Sequence, residues 1–311
     1  IHPRLNEIDH AKGPELMAEL MTKAGELGLL GTSIPEEYGG FGMNFNTSML
    51  VTEKIGAGHS FAVALSAHTG IGVLPILYYG NDAQKAKYLP KLATGEWKAA
   101  YCLTEPDSGS DANSGKTKAV LSPDGKHYLL TGQKMWITNG GFADVFIVFA
   151  KIDNDKSLTA FIVEKEFGGI TMNAPEHKMG IKGSDTRQVF FNDCPVPVEN
   201  ILNIGRIKLA ASAVGASKAT LNQAINYANE RKQFGTSIAN FGAIKYKIGE
   251  AAARIYASES ASYRAGQNVE DTIDALIADG MPEAEAKLKG VEQFAIECAI
   301  LKVHGSEVLD Y

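Results

Sequence analysis

The apolar period changes twice along the chain. Up to about Trp97 it is helical: Met17, Leu20, Met21, Ala24 and Leu27 stand at i, i+3, i+4, i+7 and i+10, one stripe of an amphipathic helix. Gly28 and the turn-rich residues 34–42 (IPEEYGGFG) interrupt that stripe, and the spacing predicts further helices near 48–56, 60–80 and 83–93. From Thr117 the period shortens. Residues 117–141 read as strand, turn at Pro123-Asp124-Gly125, strand, turn and strand. VFIVFAK (145–151), LTAFIVEK (158–165) and RQVFFND (187–193) add segments rich in β-branched and aromatic residues. Short strands at close spacing, with no helical pattern between them, predict an antiparallel sandwich or barrel. After PVPVEN (195–200) the helical period returns over 209–235, 244–268 and 282–311, and the first of these is crowded with small residues. The expected organisation is α+β, with an N-terminal helical domain (1–98), a β domain (99–200) and a C-terminal helical bundle (201–311).

At 311 residues and 45% hydrophobic, the chain is long enough for about two domains and a large buried core. With 30 basic and 36 acidic residues, a net charge of −6 and no long basic run, nucleic acid is not an expected partner, although a local pocket for phosphates is compatible with that balance. Cys102, Cys194 and Cys298 lie far apart, with no C-x-x-C pair and no cysteine–histidine ligand spacing. They support neither a zinc site nor a disulfide framework, and suit a reducing compartment. The longest apolar runs, such as 145–150, are strand-sized, so no transmembrane segment is expected where one needs ~18 residues. No signal peptide is visible, and because the chain opens at Ile1 without a methionine, a preceding segment is expected.

Candidate chemistry lies in a few stretches. In YCLTEPDSGSD (101–111), Gly109 and Ser110 offer backbone N–H groups and a hydroxyl to an anion, and the strand before them sets Tyr101 and Leu103 on one face. Equally, Asp107 and Ser108 can satisfy their own backbone in a polar turn. In WITNGG (136–141), Trp136 can stack on a flat heteroaromatic ring while Thr138 bonds its edge; the alternative is a core tryptophan before a hairpin turn. In NERKQFG (229–235), Arg231 and Lys232 suit a helix C-terminus with Gly235 as its left-handed cap, or Arg231 reaches a phosphate across a subunit interface. Arg206 reads as a solvated first-turn residue, and His68 as lining the core or a cavity. The scattered histidines make no Ser/His/Asp or Cys/His set. A stacking aromatic and an anion loop on neighbouring strands make a dinucleotide-type flavin conceivable, although no G-x-G-x-x-G follows a strand and no Walker loop is present.

In this order YCLTEPDSGSD, GQKMWITNGG, FGGIT, KMGIKGSDTRQVFFNDCPVP, the Gly205-Arg206 pair and ERKQFG resemble the acyl-CoA dehydrogenase family over essentially the whole chain. PEEYGG also fits, and FGTSIANFG with FGGIT and KMGIK looks most like the very-long-chain branch. The resemblance implies a central antiparallel β-barrel between a helical domain and a truncated helical bundle. It also implies FAD in an extended pose between them, shared across a homodimer or homotetramer. It sets Tyr101, Leu103 and Thr104 along the flavin, with Gly109 and Ser110 at the pyrophosphate. Trp136, Ile137 and Thr138 fall on the isoalloxazine, and Arg231, Lys232, Gln233 and Phe234 on the partner subunit's FAD. Ser110 with Asn203, Ile204, Gly205 and Arg206 would meet acyl-CoA.

The implied reaction converts long-chain acyl-CoA to the trans-2-enoyl thioester in fatty-acid β-oxidation. A glutamate removes the α-proton of a polarised thioester, hydride passes to the flavin, and an electron-transferring flavoprotein is the expected acceptor. An acyl-CoA oxidase, or a non-catalytic acyl-CoA-binding flavoprotein or assembly scaffold, are the rival functions. No residue here matches the catalytic position: the E-G-T glutamate is expected beyond Tyr311, and Gly205 stands where some relatives place the base. The G-G-M-G-F segment is absent, ENILNIGR runs through where the family has a glycine-rich loop, and Gly242 stands for a flavin-contacting glutamine. Bacterial cytoplasm and mitochondrial matrix both fit the resemblance.

Overall fold

The structure is a computed structural model describing the chain except residues 12, 154, 156–157, 203–208, 283–285, 287–288, 291–292, 295, 298–299, 302–303, 305–306 and 309–311, and the side chains of 2, 209–216 and 219. Two compact units emerge, Pro3–Met43 with Val63–Arg206, and Asn44–Ala62 with Ile207–Tyr311. Helices come first: α1 (Leu5–Asp9), α2 (Glu15–Glu26), α3 (Phe45–Gly56), α4 (Ser60–Ser66), α5 (Leu74–Tyr79) and α6 (Asp82–Thr94). Strands follow: β1 (Ala99–Cys102), β2 (Lys118–Leu121), β3 (His127–Thr138), β4 (Val145–Ile152), β5 (Thr159–Glu164), β6 (Ile170–Met172), β7 (Thr186–Pro197) and β8 (Ile201–Leu202). Then come α7 (Leu209–Glu230), the short strands β9 (Lys232–Gln233) and β10 (Thr236–Ser237), and α8 (Gly242–Ala278).

In the first unit, Met17, Leu20, Met21 and Ala24 of α2 are buried as their spacing predicts. Leu27 is not: the helix ends at Glu26, and Leu27 is the residue that caps it, 76% exposed. Helix α6 starts in a capping box of Asn81 and Gln84 and ends at left-handed Gly95. Between α4 and α5 the helix widens into a π segment, Ala67–Gly72. Among the described residues Ser60–Tyr79 is apolar and long enough to cross a membrane, but 72% of its apolar window is buried, as in a core helix.

The strands make one eight-stranded mixed sheet, ordered β6-β7-β3-β2-β4-β5-β8 with β1 on β4. This corrects the antiparallel barrel. Strands β1 and β2 both run parallel to β4, and the β2–β4 seam joins only Lys118 to Lys151 and Ala119 to Ile152. Among the described residues the sheet does not close, since its end strands, β6 and β8, are not paired with each other. Strand β4 explains its own uninterrupted apolar run. Phe146, Val148 and Ala150 join Cys102, Phe161 and Phe191 on one face, while Val145, Ile147 and Phe149 meet Ile76, Tyr88, Leu89 and Leu92 of the helices on the other. Both faces are covered, so neither position of the alternation is polar.

Strands β3 and β7 slip register twice, between Leu130 and Gly132 and between Lys134 and Ile137. At the first slip a Cβ on Gly132 would stand 2.5 Å from Thr117 Oγ1. Gly132→Ala is therefore expected to cost about 2 kcal/mol of unfolding free energy through overpacking. Urea denaturation reads this directly, and an unchanged midpoint would contradict the close approach.

In the second unit α7 and α8 pack with α3 around a buried carboxylate. Lys218 Nζ donates to Glu53 Oε1 at 2.9 Å and to Glu259 Oε1 at 2.5 Å, and Tyr263 OH donates to Glu53 Oε2 at 2.8 Å. Burial pushes the Glu53 carboxyl up, but the Lys218 and Tyr263 hydrogen bonds outweigh it and hold its pKa below the ordinary value. Helix α7 stops at Glu230, short of the expected 235, and α8 runs to Ala278, past the expected 268. Much of the helix expected over 282–311 lies outside the described residues.

Candidate functional site

Immediately after β1 the chain reverses. Glu105 N donates to Ser108 O at 2.9 Å and Ser108 N to Glu105 O at 3.1 Å, with Pro106-Asp107 as the tip. Ser108 Oγ turns inward to donate to Asp111 O at 2.8 Å and Ala112 O at 3.2 Å. Gly109 and Ser110 are left exposed on the outside. Among the described residues no hydrogen bond uses their backbone N–H groups, and a Cβ at Gly109 would meet nothing within 4 Å. The two readings of this loop thus divide it: Ser108 satisfies the turn, and Gly109 and Ser110 present open donors of the kind that hold an anion. Asp107 is ion-paired with Lys116 at 2.7 Å, which reduces the repulsion an approaching anion would meet.

Strand β3 reaches the same loop from the side. Met135 N donates to Thr104 O at 2.9 Å. The next residue, Trp136, has φ 58° inside the second register slip. A bulky L-residue rarely adopts that conformation, and a bulge of this kind re-aims one side chain out of the alternation. Trp136 is 62% exposed, whereas Ile137, the following residue, is buried in the sheet core. The core-filling reading of Trp136 is set aside. Thr138, half-buried, ends the strand opposite Thr186. Tyr101 and Leu103 are half-buried against the helix-side core, the Tyr101 ring meeting Phe149 edge-on at 5.0 Å.

Both sides of the bulge are anchored by buried polar side chains. Before it, Lys134 Nζ donates to Glu105 Oε1 at 2.6 Å and to Leu103 O at 3.1 Å. After it, Asn139 (φ 66°) sends Nδ2 to Ala64 O at 3.0 Å and Ala99 O at 3.2 Å, while its own N–H donates to Asp185 O at 2.8 Å. Asp185 Oδ2 in turn accepts from Gly141 N at 2.5 Å, and Arg187 Nε donates to its Oδ1 at 2.9 Å. Neither Lys134 nor Asn139 stands out from the sequence, since their partners are distant along it.

In the second unit the arginine segment starts at the C-terminus of α7, where Arg231 N donates to Tyr227 O at 2.9 Å, and continues as a hairpin. Phe234 (φ 52°) and Gly235 (φ 79°) form the two-residue turn between β9 and β10, the left-handed pair such a tight hairpin requires. This corrects Gly235 as a helix cap. Phe234 is 93% exposed at the tip, Lys232 and Gln233 are exposed behind it, and the Arg231 guanidinium lies 5.8 Å from the Tyr227 ring centre. Asn203, Ile204, Gly205 and Arg206 lie outside the described residues. Among the described residues no cluster of metal-ligating side chains occurs, and burial pushes the Cys102 and Cys194 thiols up to about 12.

Residues 1–96, 100–194 and 195–309 match, in turn, the N-terminal, middle and C-terminal domains described for acyl-CoA dehydrogenases. The chain belongs to the acyl-CoA dehydrogenase family. It is 49% identical to a probable acyl-CoA dehydrogenase of Bacillus subtilis, over 99% of this chain and 54% of that protein. It is 42% identical to the very long-chain specific acyl-CoA dehydrogenase of rat mitochondria, over 91% of this chain and 44% of that one. A crystal structure of the Bacillus anthracis acyl-CoA dehydrogenase complexed with FAD superposes with a TM-score of 0.95 at 45% identity, covering all of this chain and 56% of that one. The chain therefore spans about half the length of these acyl-CoA dehydrogenases. Its architecture is theirs: an N-terminal helical, a middle β and a C-terminal helical domain.

Proposed function

We propose that this chain holds FAD and carries out the α,β-dehydrogenation of long-chain acyl-CoA, with an electron-transferring flavoprotein as acceptor. The observation that carries this reading is Trp136, an indole forced outward on a strained bulge whose base is bonded to a loop with free amides. The residues fit the group. Gly109 and Ser110 would neutralise the pyrophosphate with N–H donors, Trp136 would offer an apolar face to the ring, and the Thr138 hydroxyl would bond the ring edge. Bound flavin would supply the hydride acceptor. The chain's part is alignment: the bulge fixes where the aromatic face lies relative to the anion-binding turn. Ser110 and residues 203–206 would take the acyl-CoA, and the exposed Arg231–Phe234 tip would reach the cofactor of a second copy. Long-chain preference rests on the likeness to the very-long-chain branch.

The test is to mix the full-length protein anaerobically with palmitoyl-CoA, and separately with butyryl-CoA, while following the flavin's visible absorption. Prompt bleaching, faster with palmitoyl-CoA, is expected. Faster bleaching with butyryl-CoA would move the preference to short chains. A bound flavin that shifts but never bleaches would make this a binding protein, and peroxide release in air without an acceptor protein would make it an oxidase.

A further inference from the structure

The Lys134–Glu105 pair is an unusual depth of burial for charges beside a surface-facing site. Lys134 is wholly buried and Glu105 is 6% exposed, yet both are charged groups facing each other at 2.6 Å. Glu105 is well satisfied: besides Lys134, its carboxylate accepts from Lys116 N at 2.5 Å and Thr117 N at 3.1 Å. Burial pushes the Glu105 carboxyl up, but the Lys134 ammonium and those amides outweigh it and keep the pKa below the ordinary value; burial lowers that of Lys134. Buried pairs of this kind are seldom the most stable choice, because an apolar pair of similar volume often does as well, and their best-attested role is to fix one arrangement among several.

The placement shows which arrangement is fixed. Glu105 opens the reversal that leads to Gly109 and Ser110, and its main chain closes that reversal on Ser108. Lys134 is the last residue in register with β7, opposite Val189, before the bulge that turns Trp136 outward. Its second bond, to Leu103 O, and the bond from Met135 N to Thr104 O hold the end of β1 to the same point of β3. The ion pair is thus the side-chain link between the anion-binding turn and the strained aromatic bulge.

We infer that Lys134 and Glu105 are positioning residues that lock the phosphate-binding turn to the ring-binding bulge, so that a dinucleotide flavin meets both at one fixed spacing. This rests on the flavin reading above. Neither residue touches the cofactor; they act through Gly109–Ser110 and Trp136. A change at Glu105, on the turn, should therefore alter how the bound ring sits beside Trp136, on the other segment.

The experiment compares the apoproteins of the wild type, Glu105→Gln and Glu105→Gln/Lys134→Met, each first checked by far-ultraviolet circular dichroism and melting temperature. The double variant removes both charges, while the side-chain amide oxygen it introduces can still accept from one of the two backbone amides, which bond different oxygens of Glu105. One folded variant therefore remains if the unpaired lysine of the single variant prevents folding. Each is titrated with FAD, and the visible circular dichroism of the flavin is recorded at saturation. The expected result is at least a tenfold weaker FAD dissociation constant in the folded variants, with a changed flavin dichroism even when every site is filled. Folded variants with wild-type affinity and dichroism, whatever their melting temperature, would overturn the positioning role and reduce the pair to a structural contact. A wild-type apoprotein that takes up no FAD would instead sink the flavin reading, and this inference with it.

Discussion

Replacing Asn139 with alanine should destabilise the protein by roughly 3 kcal/mol, the sum of two lost hydrogen bonds to buried carbonyls and an unfavourable left-handed backbone. Asn139 is fully buried, and its Nδ2 donates both to Ala64 O, where the helix is about to widen into its π segment, and to Ala99 O at the start of β1. One amide therefore ties a helix, a strand and the turn after the bulge, and no water can replace it without entering the core. The residue also sits at φ 66°, where asparagine is tolerated and alanine is not. Asn139→Gly separates the contributions: it keeps the backbone relaxed and loses only the amide, so it should be less damaging than alanine by about 1 kcal/mol. Asn139→Asp should be worse than either, because a carboxylate would face two carbonyl oxygens. Chemical denaturation of the three variants checks the order. If glycine restored wild-type stability, the hydrogen bonds would be contributing nothing.

Much of this architecture was readable from apolar spacing, and the exceptions share a cause. The α2 stripe and the β4 run are local patterns, and both elements form where those patterns lie. The order and direction of the strands are not local, since β2 joins β4 in parallel through a two-residue seam between residues more than thirty positions apart in sequence. Gly235 demanded a left-handed residue under either description, so its glycine alone could not separate a helix cap from a hairpin turn. Trp136 was legible as a candidate for stacking, but not as exposed. A bulge shifts the inside–outside alternation by one residue, and nothing in Met135-Trp136-Ile137 announces it. Nothing local marks Lys134 and Glu105, which the fold brings together across 29 residues. The pairings that organise the site are long-range, and the residues that make them carry no local signature.

Acid should weaken this protein through His68 before it reaches most carboxylates. The imidazole is completely buried in the π segment, with Nε2 donating to Leu92 O at 3.0 Å and Nδ1 accepting from Ala99 N at 3.0 Å. That pairing admits only the neutral ring with its proton on Nε2, because a second proton on Nδ1 would point at the Ala99 N–H. Burial, which the hydrogen bond to Leu92 opposes and the charge of Lys98 reinforces, pushes the folded-state pKa down to about 4. In the unfolded chain the value returns to about 6.5, so between those limits the unfolded state binds the extra proton and stability falls as pH falls. The contribution is fully present above about pH 6.5 and is lost by about pH 4, amounting to ~3 kcal/mol in all. His68→Leu removes the titration along with the two hydrogen bonds. It should be less stable than the wild type at pH 7.5, yet lose ~2.5 kcal/mol less than the wild type between pH 7.5 and 4.5. Urea denaturation of both proteins at the two pH values gives the comparison. Equal losses would mean that His68 is protonated in the folded state at pH 4.5, and that its two hydrogen bonds do not hold the neutral ring.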